Sequence, residues 1–133
     1  MSMKPALHIV LYIWQLPQNL LGLLFLVFLH PCKTVRTEDY AVVRTSRKMR
    51  GGISLGHYVF LSLYQCTGMT INHELGHCRQ SMMLGPLYLL VIGLPSIIWA
   101  WLGDRIAPDR SYYWFYTERW ADRLGGVERM EYY

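Results

Sequence analysis

Thr70-Ile71-Asn72-His73-Glu74-Leu75-Gly76-His77-Cys78-Arg79-Gln80-Ser81-Met82-Met83 is the stretch on which the reading of this chain turns. It has no proline. Gly68 and Thr70 suit a helix start and Gly85-Pro86 a helix stop, so the pattern predicts a helix over residues 67–84. On that helix His73 and His77 stand four positions apart, neighbours on one face one turn up. Glu74 projects beside them, and no other acidic residue occurs between Asp39 and Asp104.

Outward from the helix the sequence empties of charge. Of 133 residues, 53% are hydrophobic and only 17% charged, against roughly 25% charged in soluble domains. Such a composition excludes a disordered tail or a nucleic-acid arm and leaves one compact core or a membrane protein. Apart from Lys4, nothing from Met1 to Pro31 carries a formal charge, and a second uncharged run extends from Gln80 to Gly103. Each has the roughly 20 residues a membrane-spanning helix needs. The first run is too long for a secretory h-region and no A-x-A-like site follows it, so residues 5–30 read as a retained membrane helix. Gln15, Pro17, Gln18 and Asn19 interrupt it near the middle, and in lipid these need internal partners. A hydrophobic helix docked in a soluble core is the competing reading. The second run contains Gly85-Pro86, Gly93 and Leu94-Pro95-Ser96, so residues 85–103 read as a broken membrane segment or a re-entrant hairpin. Trp99 and Trp101 near its end suit an interface belt.

Between the runs, residues 33–50 hold six basic side chains (Lys33, Arg36, Arg44, Arg47, Lys48, Arg50) against Glu38 and Asp39. The positive-inside tendency puts this loop on the cytoplasmic face. A nucleic-acid patch is the weaker reading of the net charge of +4, because the charge is confined to one short segment. Tyr40–Thr45 and Ile53–Leu61 are rich in β-branched and aromatic residues, and with the basic stretch and Gly51-Gly52 between them they predict an antiparallel β-hairpin within residues 33–62.

The chemistry lies in His73-Glu74-x-x-His77. Two imidazoles one helical turn apart can converge on one zinc ion, and Glu74 beside the metal can take a proton from an attacking water and pass it to a leaving amine. A catalytic zinc wants a third protein ligand. The downstream candidates are Asp104, Asp109, Glu118, Asp122, Glu128 and Glu131. Glu118 and Asp122 stand out, because a helix over residues 112–130 puts these carboxylates four apart on one face. One can bind the metal while the other accepts the free N–H of a ligating histidine. The bland alternative is a solvated helix on which Glu118 pairs with Arg123, or Arg119 with Asp122. Cys32, Cys66 and Cys78 are odd in number and lack C-x-x-C spacing, so they indicate neither a disulfide framework nor a structural zinc site. Tyr112, Tyr113, Tyr116 and His57 are candidates to assist an oxyanion.

His73-Glu74-x-x-His77-x-x-Gln80 followed by Glu118-x-x-Ala121-Asp122 resembles the gluzincin branch of zinc metallopeptidases, in a small membrane-embedded bacterial form. The resemblance covers residues 70–83 and 117–123. It implies His73, His77 and Glu118 as ligands of one zinc ion, Glu74 as general base and Asp122 behind a ligating histidine. It also implies that the strand before the motif helix is an edge along which an extended substrate aligns. The chain is much shorter than typical gluzincins. Site-2-type intramembrane proteases rank second, since their third ligand is an Asp in a motif absent here.

The expectation is a mainly α membrane protein of one domain, residues 1–133, with a small antiparallel hairpin and a minimal zincin-like pair of helices. The resemblance makes it a zinc-dependent endopeptidase integral to the bilayer, acting on a membrane-associated peptide or protein and on no nucleic acid. A non-catalytic zinc-binding membrane regulator or assembly protein is the alternative, and a fourth ligand from His57 or Cys78 would mark it. Topology adds a test: for His77 and Glu118 to meet, either residues 84–103 return as a hairpin, which the Gly and Pro breaks favour, or the site lies buried between helices.

Overall fold

A computed structural model describes residues 3–38 and 40–129. Helices α1 (Pro5–Trp14) and α2 (Leu16–Leu29) lead into strands β1 (Lys33–Glu38), β2 (Ala41–Ser46), β3 (Gly52–Leu55) and β4 (Tyr58–Ser62). Helices α3 (Gly68–Leu84), α4 (Leu94–Ile106) and α5 (Tyr116–Gly125) complete a mainly helical chain.

The sheet is mixed, in the order β1-β2-β4-β3, and this corrects the single antiparallel hairpin expected within 33–62. Residues 53–61 are not one strand. Gly56, at φ +67°, and His57 turn the chain back on itself, so that β3 and β4 form the tight hairpin. The expected strand at Tyr40–Thr45 gains a further partner ahead of it in the basic segment: β1 runs antiparallel to β2. The remaining pairing, β2 with β4, is parallel, in register from Val42 with Tyr58 to Ser46 with Ser62. Central β4 is buried along its whole length. Val59 and Leu61 meet Ala41, Val43, Ile71, Leu75 and Cys78 in the core under α3, while Tyr58 on the other face lies against Gly22 of α2.

The polar interruption of residues 5–30 is a corner. Helices α1 and α2 meet at Gln15 with a bend of 95°, and Gln15, Gln18 and Asn19 are fully buried. Gln18 donates to Ser81 Oγ at 2.8 Å and to the Gly85 carbonyl at 2.9 Å. Asn19 donates to the Tyr40 hydroxyl at 2.7 Å and accepts the His57 N–H at 2.8 Å. Ser81 donates to Gln15. The internal partners that such groups need without water come from the end of α3, Tyr40 before β2 and the β3–β4 turn, with Gln18 Oε1 left without a hydrogen-bond partner among the described residues.

Residues 85–103 do not form a returning hairpin. After a 3-10 turn at Gly85–Leu87, the chain runs helically from Leu89 to Ile106, with a π-helical turn at Leu89–Gly93 placed before Pro95. Pro95 follows directly on the π turn, whose wider winding accommodates its missing N–H, so the helix passes through Leu94-Pro95 without ending there. The return comes later. Trp99 Nε1 donates to the Tyr112 carbonyl at 2.7 Å, and the Tyr116 hydroxyl reaches back to the Val91 carbonyl at 2.7 Å, so residues 112–116 run antiparallel along α4. The helix expected over 112–130 is shorter: a 3-10 turn occupies Tyr112–Trp114, and Gly126, at φ +71°, caps α5. Its expected last residue, Met130, lies outside the described residues.

Leu89–Ile106 is 18 residues long and apolar enough to cross a bilayer by length and composition, and α1 with α2 passes the same test only as a bent pair. Large apolar side chains stay exposed along both, including Ile9, Ile13, Leu24, Val27, Phe28, Leu94, Trp101 and Ile106.

Candidate metal centre

The centre is built where α3 and α5 cross. Thr67 caps α3 by accepting the Thr70 N–H at 3.2 Å, and the Thr70 hydroxyl accepts the Thr67 N–H at 2.9 Å. The helix then carries the motif beneath the sheet. Gly76, between the two histidines, faces the backbone of Ala121, where any Cβ would collide with the Ala121 carbonyl. That close approach brings Glu118 and Asp122, one turn apart on α5, against His73 and His77 (all four buried).

Three atoms converge. Glu118 Oε1 lies 3.5 Å from His73 Nε2 and 3.3 Å from His77 Nε2. With metal–ligand bonds of about 2.05 Å, the edge of a zinc tetrahedron is about 3.3 Å. The two edges at Glu118 thus have the length a small tetrahedral cation needs, and the ligand atoms of His73, His77 and Glu118 all lie within 4.8 Å of one another.

Each donor is aimed from behind. His73 Nδ1 sits 2.6 Å from Asp122 Oδ1, and His77 Nδ1 2.6 Å from Gln80 Oε1. Both acceptors hold a proton on Nδ1, so that once Nε2 gives up its own proton its lone pair is aimed into the space beside Glu118. Gln80 is held in turn by donating to the Thr117 carbonyl at 2.9 Å. Glu118 Oε2 accepts from Thr117 Oγ1 at 2.8 Å and Ser96 Oγ at 3.0 Å, leaving Oε1 to face the histidines. Arg129 Nε donates to Asp122 Oδ2 at 2.7 Å.

The electrostatics ask for positive charge between the donors. Burial by itself lowers the His73 pKa, but the bonds to Asp122 and Glu118 outweigh it and lift it to about 10. His77 rises in the same way, burial being overcome by the charge of Glu118. Burial raises the carboxyl pKa values of Glu118 and Asp122, and the histidines more than reverse this, holding both below the ordinary range. A dication among these atoms takes over the role of the imidazolium protons.

Glu74 is buried next to this triangle and accepts from Ser54 Oγ at 2.8 Å, which orients it from the edge strand β3. Tyr112 and Glu74 line the same cavities. Burial first, and the charge of Glu118 second, keep the Tyr112 hydroxyl protonated far above neutral pH, as a donor must be. The Tyr113 ring packs edge-on to His73 at 5.3 Å. Tyr116 is exposed and committed to Val91. His57 turns away, its ring bonded to the Tyr40 carbonyl in the β3–β4 turn.

Of the other acids named as third ligands, Asp104, Asp109 and Glu128 are exposed, and Glu131 lies outside the described residues. Arg119 and Arg123 face solvent instead of neutralising the carboxylates of α5. Cys78 belongs to the apolar core. Among the described residues, the group that could hold a metal ion is His73, His77 and Glu118, with neither His57 nor Cys78 as a fourth member. Sequence reasoning did not assign roles to Gln80, Ser54, Ser96, Thr117 and Arg129. Gln80, one turn beyond His77, carried a signal in its i+3 spacing; Thr117 adjoins Glu118 on α5, and Ser54, Ser96 and Arg129 reach the site from other elements and carried none.

No family model, curated protein or solved structure matches the chain. The case for what the site does rests on its own side chains.

Proposed function

We propose that the protein is a membrane-embedded zinc metallopeptidase of the gluzincin kind, hydrolysing peptide bonds with Glu74 as general base. The observation that carries this is the convergence of His73 Nε2, His77 Nε2 and Glu118 Oε1 at tetrahedral spacing, with Glu74 beside them in a cleft. Two imidazoles and one carboxylate form a donor set that suits zinc. His73, His77 and Glu118 would hold the ion, and Asp122 and Gln80 keep the rings aimed. When bound, zinc supplies Lewis acidity, which polarises the scissile carbonyl and makes water acidic near neutral pH.

The remaining work falls to the chain. Glu74, steadied by Ser54, accepts one proton of the attacking water as its oxygen bonds to the carbonyl carbon. The C–N bond then breaks, and Glu74 returns that proton to the departing amine. The Tyr112 hydroxyl donates toward the oxygen on which negative charge develops. Three protein ligands, with no fourth from His57 or Cys78 among the described residues, favour this over the non-catalytic regulator.

Membrane embedding is supported by the exposed apolar faces of α1, α2 and α4. Trp101 at the outer end of α4 and the basic segment 33–50 suit a headgroup zone on an anionic face, the cytoplasmic one by the positive-inside tendency. Retention in the pellet after an alkaline wash, with release by detergent, is the expected behaviour.

Zinc content and peptide cleavage, measured on the purified full chain and on Glu74→Gln, test the catalytic claim. One zinc per chain in both, with hydrolysis reduced by at least about 100-fold in the variant, is expected. A fully active Glu74→Gln overturns it.

A further inference from the structure

Strand β3 links two cavities, the first lined by more polar side chains than the second. At its Gly51–Gly52 end lies one of about 290 Å³, lined by Gln65, Thr70, Tyr113 and Arg129. At its Leu55 end lies one of about 320 Å³, walled by Leu21 and Phe25 of α2, Leu55, and Leu94 and Ile97 of α4. Gly52, Glu74, Ala100 and Tyr112 line both, so Glu74 stands at the junction.

β3 is an outer strand of the sheet. The Ser62 N–H bonds to the Gly51 carbonyl at 2.8 Å, and the alternation of an antiparallel ladder then turns the backbone groups of Gly52 and Ser54 away from β4. Tyr88 donates to the Ser54 carbonyl at 2.9 Å. The Gly52 groups and the Ser54 N–H remain for an added extended chain. At Gly52 a Cβ would stand 2.7 Å from Glu74 Cδ, so the missing side chain leaves room for the base.

The cavity at the Gly51–Gly52 end is bounded by the Arg129 guanidinium. Arg129 Nε is tied to Asp122, and its plane lies over the Tyr113 ring at 3.4 Å. Its Nη2 is buried and has no hydrogen-bond partner among the described residues. A buried donor of that kind calls for an acceptor, and a carboxylate matches a guanidinium best.

We infer that the substrate is an extended peptide that adds to β3, with a large apolar residue in the cavity between α2 and α4 and, across the scissile bond, a carboxylate bound by Arg129. The inference deepens the peptidase reading and rests on it. The carboxylate is that of an Asp or Glu side chain or of a chain terminus.

Binding to zinc-loaded, full-chain Glu74→Gln in detergent tests it without turnover, using a fluorescent decapeptide with Phe and Glu flanking a central bond in either order. Replacing the peptide's Glu with Gln, or its Phe with Ala, is expected to weaken binding about tenfold or more. Arg129→Gln abolishes the first difference, whereas Arg129→Lys, which keeps the charge, retains part of it. Ile97→Trp, which fills the apolar cavity, abolishes the second. Free-acid and amidated peptides separate a terminal carboxylate from a side-chain one. Equal affinity for all peptides, absence of binding, or differences that persist in both Arg129→Gln and Ile97→Trp overturns the inference. Selective binding of peptides that the wild-type chain does not cleave overturns the peptidase reading instead. Unselective cleavage does the reverse.

Discussion

Alanine in place of Gly76 sets two effects against each other. In an isolated helix the change is favourable by about 1 kcal/mol, because glycine gives up more backbone freedom. In the folded protein the new Cβ would stand 2.6 Å from the Ala121 carbonyl carbon and 3.0 Å from its Cα, and nearer still to its oxygen. Ordinary carbon contacts are about 3.5 Å or more, so α5 must back away by about 1 Å. Backbone atoms block the way, and no rotamer change relieves them. Overpacking of this kind costs about 1–3 kcal/mol, which equals or exceeds the helical gain. The larger effect is on the metal. Ala121 lies between Glu118 and Asp122, so the same movement stretches the 3.3 Å and 3.5 Å edges at Glu118 Oε1 and loosens the Asp122 bond to His73. Zinc affinity is expected to fall about 10–100-fold, the loss typical when the supports of a ligand fail. Competition with a chromogenic chelator reads this directly, alongside denaturant unfolding of the metal-free chain. Gly68→Ala is the control: a Cβ there meets nothing within 4 Å, so it leaves zinc affinity unchanged. If Gly76→Ala binds zinc as tightly as Gly68→Ala and is equally stable, the helix crossing does not set the site.

Gln80→Ala frees His77 Nδ1 and is expected to cost about 10–100-fold in zinc affinity by the same titration, and Asp122→Asn as much through His73. Proton linkage follows from the raised histidines. With His73 at about 10 against roughly 6.5 unfolded, the metal-free protein has this contribution in full below about pH 6.5 and loses it as pH rises toward 10. Zinc binding must displace the proton, so apparent affinity rises across pH 7–9, with proton release measurable by calorimetry in buffers of different ionisation enthalpy. Thiol labelling separates the cysteines: Cys32 is exposed and reacts at once, whereas Cys78, buried and with its thiol pushed up to about 12, reacts only on unfolding.

What the sequence disclosed was local. His73 and His77, like Glu118 and Asp122, are separated by four positions, and the geometry of one helical turn makes such pairs readable from spacing. The packing of α3 on α5 was not readable, because Gly76 in a helix gives no sign that a carbonyl of α5 will fill its place. The sheet failed for a related reason. Residues 53–61 have uniform strand texture, and only Gly56 marks the turn inside them, while the parallel pairing of β2 with β4 depends on long-range burial of Val43 and Val59. Pro95 was misleading: proline reads as a breaker inside a helix, but the π turn at Leu89–Gly93 lets the helix run on through it.

The buried amides of the corner bear on how the first two helices stay attached. Apolar contact between helices gains nothing over contact with hydrocarbon tails once both are in lipid. Hydrogen bonds keep their advantage there, because a lipid chain offers neither donor nor acceptor. With the first two helices in the bilayer, as proposed, Gln15, Gln18 and Asn19 would act as a lock that works in oil: their bonds to Ser81, the Gly85 carbonyl, Tyr40 and His57 have direction and length, and allow one angle of approach where a greasy seam would slide. In detergent or bilayer alike, α2 then keeps its wall of the cleft in place.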